Sequence, residues 1–155
     1  MALIEESIEL TSFDAFIDML NAMIQPLANP VFSVQTWQEV IDILQEMERG
    51  FFASSAGPDG APWAPNRPYT VKKKGHGIIL RETYELEASL VGVSTTSVRN
   101  IGNNNIEFGT NRAWSWKHQE GSGKIPQRMF IGMTDDATDK VVDIVADAAV
   151  QMMFE

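Results

Sequence analysis

Apolar residues return at three- and four-residue steps over 11–24, where Phe13, Phe16, Ile17, Leu20, Met23 and Ile24 form one stripe. That period predicts an amphipathic helix, with Thr11 or Ser12 able to cap its start. Pro26 and Pro30 end it, because proline lacks the donor that a continuing helix requires. The same period returns over about 36–49, with Trp37, Val40, Ile41, Leu44 and Met47 on one face. Thr36 and Glu39 have capping-box spacing there, and Gly50 supplies a stop signal.

From residue 78 the pattern changes. Residues 86–93 and 95–101 are rich in β-branched side chains, and Gly102-Asn103-Asn104 is turn chemistry ahead of 105–109. These segments predict antiparallel strands with a hairpin closing near Gly102. Residues 112–123 mix aromatic and polar side chains and end in glycines. The last element, over about 136–153, reads as a helix with Val141, Val142, Ile144, Val145, Ala148, Ala149 and Met152 on its apolar face. Asp135, Asp136 and Asp139 favour its positive N-terminal end.

Between the two halves lies an irregular stretch, residues 54–77. It holds Gly57-Pro58-Asp59-Gly60, then Pro62, Pro65 and Pro68, then Lys72-Lys73-Lys74-Gly75. Turn residues and bases at this density predict an extended arm with no core of its own. Trp63 sits inside it and must dock, either on the body of its own chain or on a neighbour. The expected fold class is therefore α+β, an antiparallel β-sheet packed against helices with a long Pro/Gly/Lys-rich loop. The 155 residues suit one domain: a helical part over 1–50, the arm over 54–77, and the sheet with its C-terminal helix over 78–155.

Composition narrows the function classes. The absence of cysteine removes thiol catalysis, disulfides and thiolate metal sites. No window has the roughly 18–20 consecutive apolar residues of a spanning helix. The first ten residues carry three glutamates and no base, the reverse of a signal peptide, so synthesis and folding in the cytoplasm are expected, with no membrane partner. The net charge of −9 is segregated: residues 1–50 hold nine acids and one base, 51–130 six acids and ten bases, 131–155 six acids and one base. An acidic chain is a poor wrapper of nucleic acid, whose affinity comes from neutralising phosphates. Acidic ends around a basic middle instead suit self-association.

No catalytic constellation emerges. The two histidines are His76 and His118, and His118 with Glu120 is the only local pair, which on a strand would share one face. Two ligands do not make a zinc or iron site. There is no Gly-x-Ser-x-Gly elbow, and the lysine triplet lacks the phosphate-loop arrangement. Glu85 and Glu87 are better read as solvated acids than as a glycosidase pair. No cofactor and no metal is expected.

Four ordered pieces carry a family resemblance. They are Pro58-Asp59-Gly60-Ala61-Pro62-Trp63 with Lys72 to Lys74; Leu80, Thr83 and Leu86; Trp114 with His118-Gln119-Glu120-Gly121; and Ile125-Pro126-Gln127-Arg128-Met129-Phe130-Ile131-Gly132. In this order over about 51–150 they resemble the phage virion-morphogenesis, or tail-completion, proteins. The family usually has glycine after the threonine, where this chain has Tyr84, and alanine after the aromatic, where it has Ser115. The resemblance implies a structural protein of the virion rather than an enzyme, completing or terminating the tail and joining it to the head. Alternatives are a head-closure or minor tail protein of the same fold and, more remotely, a small hydrolase. It also implies a ring of identical subunits, commonly six-fold, with the tail-tube and head-connector proteins as partners and DNA able to pass through the hole. Trp63, Lys72, Lys73, Lys74, Trp114, His118 and Arg128 are the expected subunit-interface residues. Pro126 is expected to fix the start of the last helix, and Arg128 to offer its planar fork to a carboxylate.

Overall fold

A computed structural model describes residue 18, residues 21, 22 and 25, and residues 27–154. The helix expected over 11–24 lies almost wholly outside the described residues. The fold is α+β; among the described residues five helices and one two-stranded antiparallel sheet are defined.

Helix α1, Val34–Ser54, is the element on which the rest is assembled. Its stripe of Trp37, Val40, Ile41, Leu44, Phe51 and Phe52 is buried. It starts earlier than the capping-box spacing implied: Ser33 is the cap, its hydroxyl accepting from Thr36 N at 3.0 Å. It also runs through Gly50. An interior glycine costs a helix about 1 kcal/mol relative to alanine, but Phe51 and Phe52 lie just beyond it and their burial carries the helix onward. The stop falls instead at Ser55, in the left-handed region with φ 51.

Two apolar clusters line α1. Trp37, Val40 and Leu44 pack with Val141, Ile144 and Val145 of α5, Asp135–Phe154. Farther along, Phe51 and Phe52 join Trp63, Leu80, Leu86, Leu90 and Phe130. Met47 and Phe108 pack against both clusters.

The hairpin is where turn chemistry placed it. Strands β1, Ser97–Ile101, and β2, Ile106–Thr110, pair from Ser97 with Thr110 to Ile101 with Ile106. Residues 86–93, expected as a strand, are instead mostly helix α3, Glu85–Val91. Leu86, Ser89 and Leu90 there are buried at helical spacing, and that face outweighs the β-branched Val91 and Val93. Arg99 of β1 closes the end of α3, donating to the carbonyls of Ser89, Leu90 and Gly92, where the negative end of the helix favours a cation.

The arm is a folded part of the body. It contains helix α2, Pro68–Lys74, with proline in the first turn and the lysine triplet in the last. A bridge between Ala56 and Pro62 closes the loop before it. His118 and Glu120 lie on helix α4, Ser115–Glu120, not on a strand. Pro126 stands nine residues before α5 and does not open it.

Candidate functional site

The sequence pieces that carry the resemblance converge on one junction. Trp63 is only 6% exposed, and its indole Nε1 donates to Met129 O at 2.7 Å while its ring meets Phe52 edge-on. Trp63 thus belongs to the core of its own chain. Arg128 is buried too. Its Nε donates to Ala64 O at 2.7 Å and an Nη to Pro65 O at 3.0 Å, so the fork grips two backbone carbonyls of the arm, not a carboxylate. Extended prolyl chain cannot pair its own carbonyls, and a buried guanidinium satisfies them.

Gln119 ties in the third piece. Its side-chain oxygen accepts from Phe130 N and Ile131 N, and its nitrogen donates to Ile131 O. Arg128 N donates to His118 O at 2.6 Å. Two glycines let these backbones meet. A Cβ on Gly57 would lie 2.7 Å from Met129 O, and one on Gly132 would lie 2.6 Å from Pro58 Cγ.

Beside the junction opens a cleft of about 600 Å³. Leu80, Leu86 and Arg128 are its buried lining; Tyr69 and Lys74 of α2, Tyr84, Trp114, His118 and Lys124 surround them. Five bases and two glutamates line it. One base, Arg112, is paired with Glu85 and also reaches Thr83.

Three lining residues sit in left-handed backbone: Leu80 at φ 58, Tyr84 at φ 59 and Trp114 at φ 72. Each such residue costs about 1–2 kcal/mol unless it is glycine, and strain of this kind gathers at functional surfaces. Tyr84 stands at the position where the resemblance leads one to expect glycine. The tyrosine adopts a left-handed backbone that glycine takes without strain, and its ring is half exposed over the cleft, with Arg81 at 5.8 Å from its centre.

The charges of the cleft act on one another. Burial lowers the His118 pKa first, and the Arg128 and Lys74 charges lower it further. Burial likewise lowers Lys74, with Glu82 opposing and Arg128 assisting. His118 Nδ1 is buried without a partner among the described residues. Burial and the two neighbouring cations thus favour the neutral imidazole of His118 over its charged form.

Of the seven expected interface residues, Lys74, Trp114, His118 and Arg128 line this cleft. Lys72 and Lys73 are exposed on α2 next to it, whereas Trp63 is internal. Trp114 is 65% exposed and, with the exposed Trp116, holds Lys117, whose Nζ lies 3.6 Å from the Trp114 ring centre and 5.5 Å from that of Trp116. Tyr69, Tyr84 and Gln119 were not among the expected interface residues, although Tyr84 and Gln119 stand in the motif pieces. Among the described residues no group of three or more His, Asp or Glu is placed to hold a metal ion, and no helix is long and apolar enough to cross a membrane.

A family model described as the phage virion morphogenesis family matches residues 14–149. No curated protein and no solved structure matches the chain.

Proposed function

The chain belongs to the phage virion morphogenesis family, and we propose that within that process it is a structural subunit of the tail end. In this reading identical copies form a ring that completes the tail and meets the head, with the tail-tube protein and the head connector on either side. Its place is the virion, at the junction of tail and head, and its work is stoichiometric binding rather than turnover.

The observation that carries the reading is the surface around the cleft. Tyr69, Tyr84 and Trp114 are exposed there with Arg67 and Lys124, and the exposed Trp116 adjoins Trp114 through Lys117. Aromatic residues and arginine are the usual anchors of protein contacts. Those anchors rise from the junction that the family's own sequence pieces build, so the rigid part of the molecule presents the docking part. Turnover is poorly served by the same cleft: Ser115 and His118 both line it, yet the imidazole Nδ1 has no group among the described residues to orient it as a base.

Deleting the gene tests this. Electron microscopy of the lysate is expected to reveal DNA-filled heads and polymerised tails that fail to join, or tails of irregular length. Normal infectious particles from the deletion strain, or a defect confined to replication or lysis, would overturn it.

A further inference from the structure

Helix α5 carries two features that do nothing for an isolated subunit. Asp135, Asp139, Asp143 and Asp147 recur at four-residue steps, all exposed. Like charges at that spacing destabilise a helix. Only the first turn, with Asp135 and Asp136, gains from the positive helix end. Next to the aspartates runs an apolar row facing away from α1: Val142 at 57%, Val150 at 50% and Phe154 at 65% exposure, with the exposed Ala146 between them. Val142, expected on the buried face, is thus outward; Val141, Ile144 and Val145 make the contact with α1. Twenty residues of helix extend about 30 Å, so this acidic and apolar strip is long.

The cleft face is its chemical complement. Tyr69, Tyr84 and Trp114 supply apolar area where α5 presents valines and phenylalanine. Arg67 and Lys124 have no ion-pair partner among the described residues, where α5 presents Asp135, Asp139, Asp143 and Asp147, which are likewise without one; Asp136 is held by Lys140 of the same helix. The two faces lie on different elements of one chain. A contact between them is head-to-tail, and head-to-tail contacts close into rings when the rotation closes.

We propose that the outward face of α5 in one copy docks on the aromatic, basic rim of the cleft in the next copy. This rests on the ring reading above and names its interface. The acidic row steers and orients the encounter, and the valines and Phe154 dehydrate against Tyr69, Tyr84 and Trp114. The cost of a repelling, half-apolar helix face in the single subunit is offset only in the assembly.

A mixing experiment on the full chain tests it. One variant carries Val142→Lys and Val150→Lys, which add bases near the aspartates and so keep the helix while repelling the rim. The other carries Trp114→Asn, a residue tolerant of left-handed backbone, with Lys124→Glu. The unmodified chain is expected to reach assemblies larger than a dimer by light scattering. Each variant alone is expected to dissociate at least about tenfold more readily. Mixed in equal amounts, the two retain one intact contact per pair and should form a heterodimer that grows no further. Circular dichroism establishes that each variant is folded. Should the lysine pair unfold the chain, Asp139→Asn with Asp143→Asn and Asp147→Asn replaces it. The proposal is overturned by a folded variant that assembles like the unmodified chain, by a mixture that yields no heterodimer, or by an unmodified chain that stops at a dimer. An unmodified chain that is monomeric at every concentration overturns the ring reading itself.

Discussion

The arm junction and helix α5 hold to the body by opposite means. The junction is rich in proline and glycine, yet Trp63, Phe130 and Arg128 are buried in it and it is fastened by directed bonds: one indole to a carbonyl, one guanidinium to two carbonyls, one amide to three backbone groups. Helix α5 is rich in valine and alanine, yet it contributes a single buried residue, Ala137, and rests on α1 through a partly buried stripe. Apolar content therefore did not decide which segment became core. The junction gained burial because the polar groups of Trp63, Arg128 and Gln119 found partners, and burial without that is costly.

This contrast sets the order of expected effects. The largest is Trp63→Ala, which should cost about 3–5 kcal/mol by urea denaturation, since it removes a fully packed aromatic. Trp63→Phe should retain most of that and lose chiefly the bond to Met129 O, leaving a buried carbonyl short by about 1–3 kcal/mol. If Trp63→Ala unfolds no earlier than the unmodified chain, the junction is a loose arm and the contrast collapses.

An intermediate effect belongs to α1, which both regions share. Glu48 is completely buried, and its carboxylate oxygens have no hydrogen-bond partner among the described residues. Burial raises its pKa to about 8 from 4.5, with the Arg99 charge opposing. The folded chain thus keeps a proton that the unfolded chain releases above pH 4.5. Stability from this group is complete below that value and declines as pH rises toward 8, by on the order of 3 kcal/mol at neutrality. Glu48→Gln keeps the shape without the charge, and its melting temperature should fall less than that of the unmodified chain between pH 5 and 8. Parallel curves would mean that Glu48 titrates normally.

The smallest effect is expected on the outward face of α5. Val142→Ser should change monomer stability by no more than about 0.5 kcal/mol, because the side chain already meets water. A loss near 2 kcal/mol would put that face inside the monomer and erase the difference between the two regions.

How much of this was legible follows from what period can report. The stripes of α1 and α5 and the hairpin turn were readable because burial repeats with the geometry of the element. Helix α3 was missed although Leu86, Ser89 and Leu90 have helical spacing, since seven residues give period little to work with against neighbouring valines. The arm was misread as coreless because its partners are distant in sequence: Arg128 reaches carbonyls more than sixty residues away. Backbone acceptors leave no mark in a sequence. The ordered motif pieces located the cleft, while its walls came into view only when α2 and α4 folded beside them. Tyr84 was noted as a departure from glycine, and its left-handed backbone is the physical reason glycine suits that position.

The four tryptophans divide evenly between interior and surface, Trp37 and Trp63 being buried and Trp114 and Trp116 exposed. An indole's emission shifts to the red when water can reorient around its excited state, and to the blue when water is withdrawn. The interior pair therefore reports folding, whereas the surface pair, with Lys117 lying over it, reports only what covers the cleft rim. Folding and docking thus write different optical signals in the same unlabelled chain. A blue shift on raising concentration, absent from a Trp114→Asn, Trp116→Phe variant, would follow one subunit meeting another in real time.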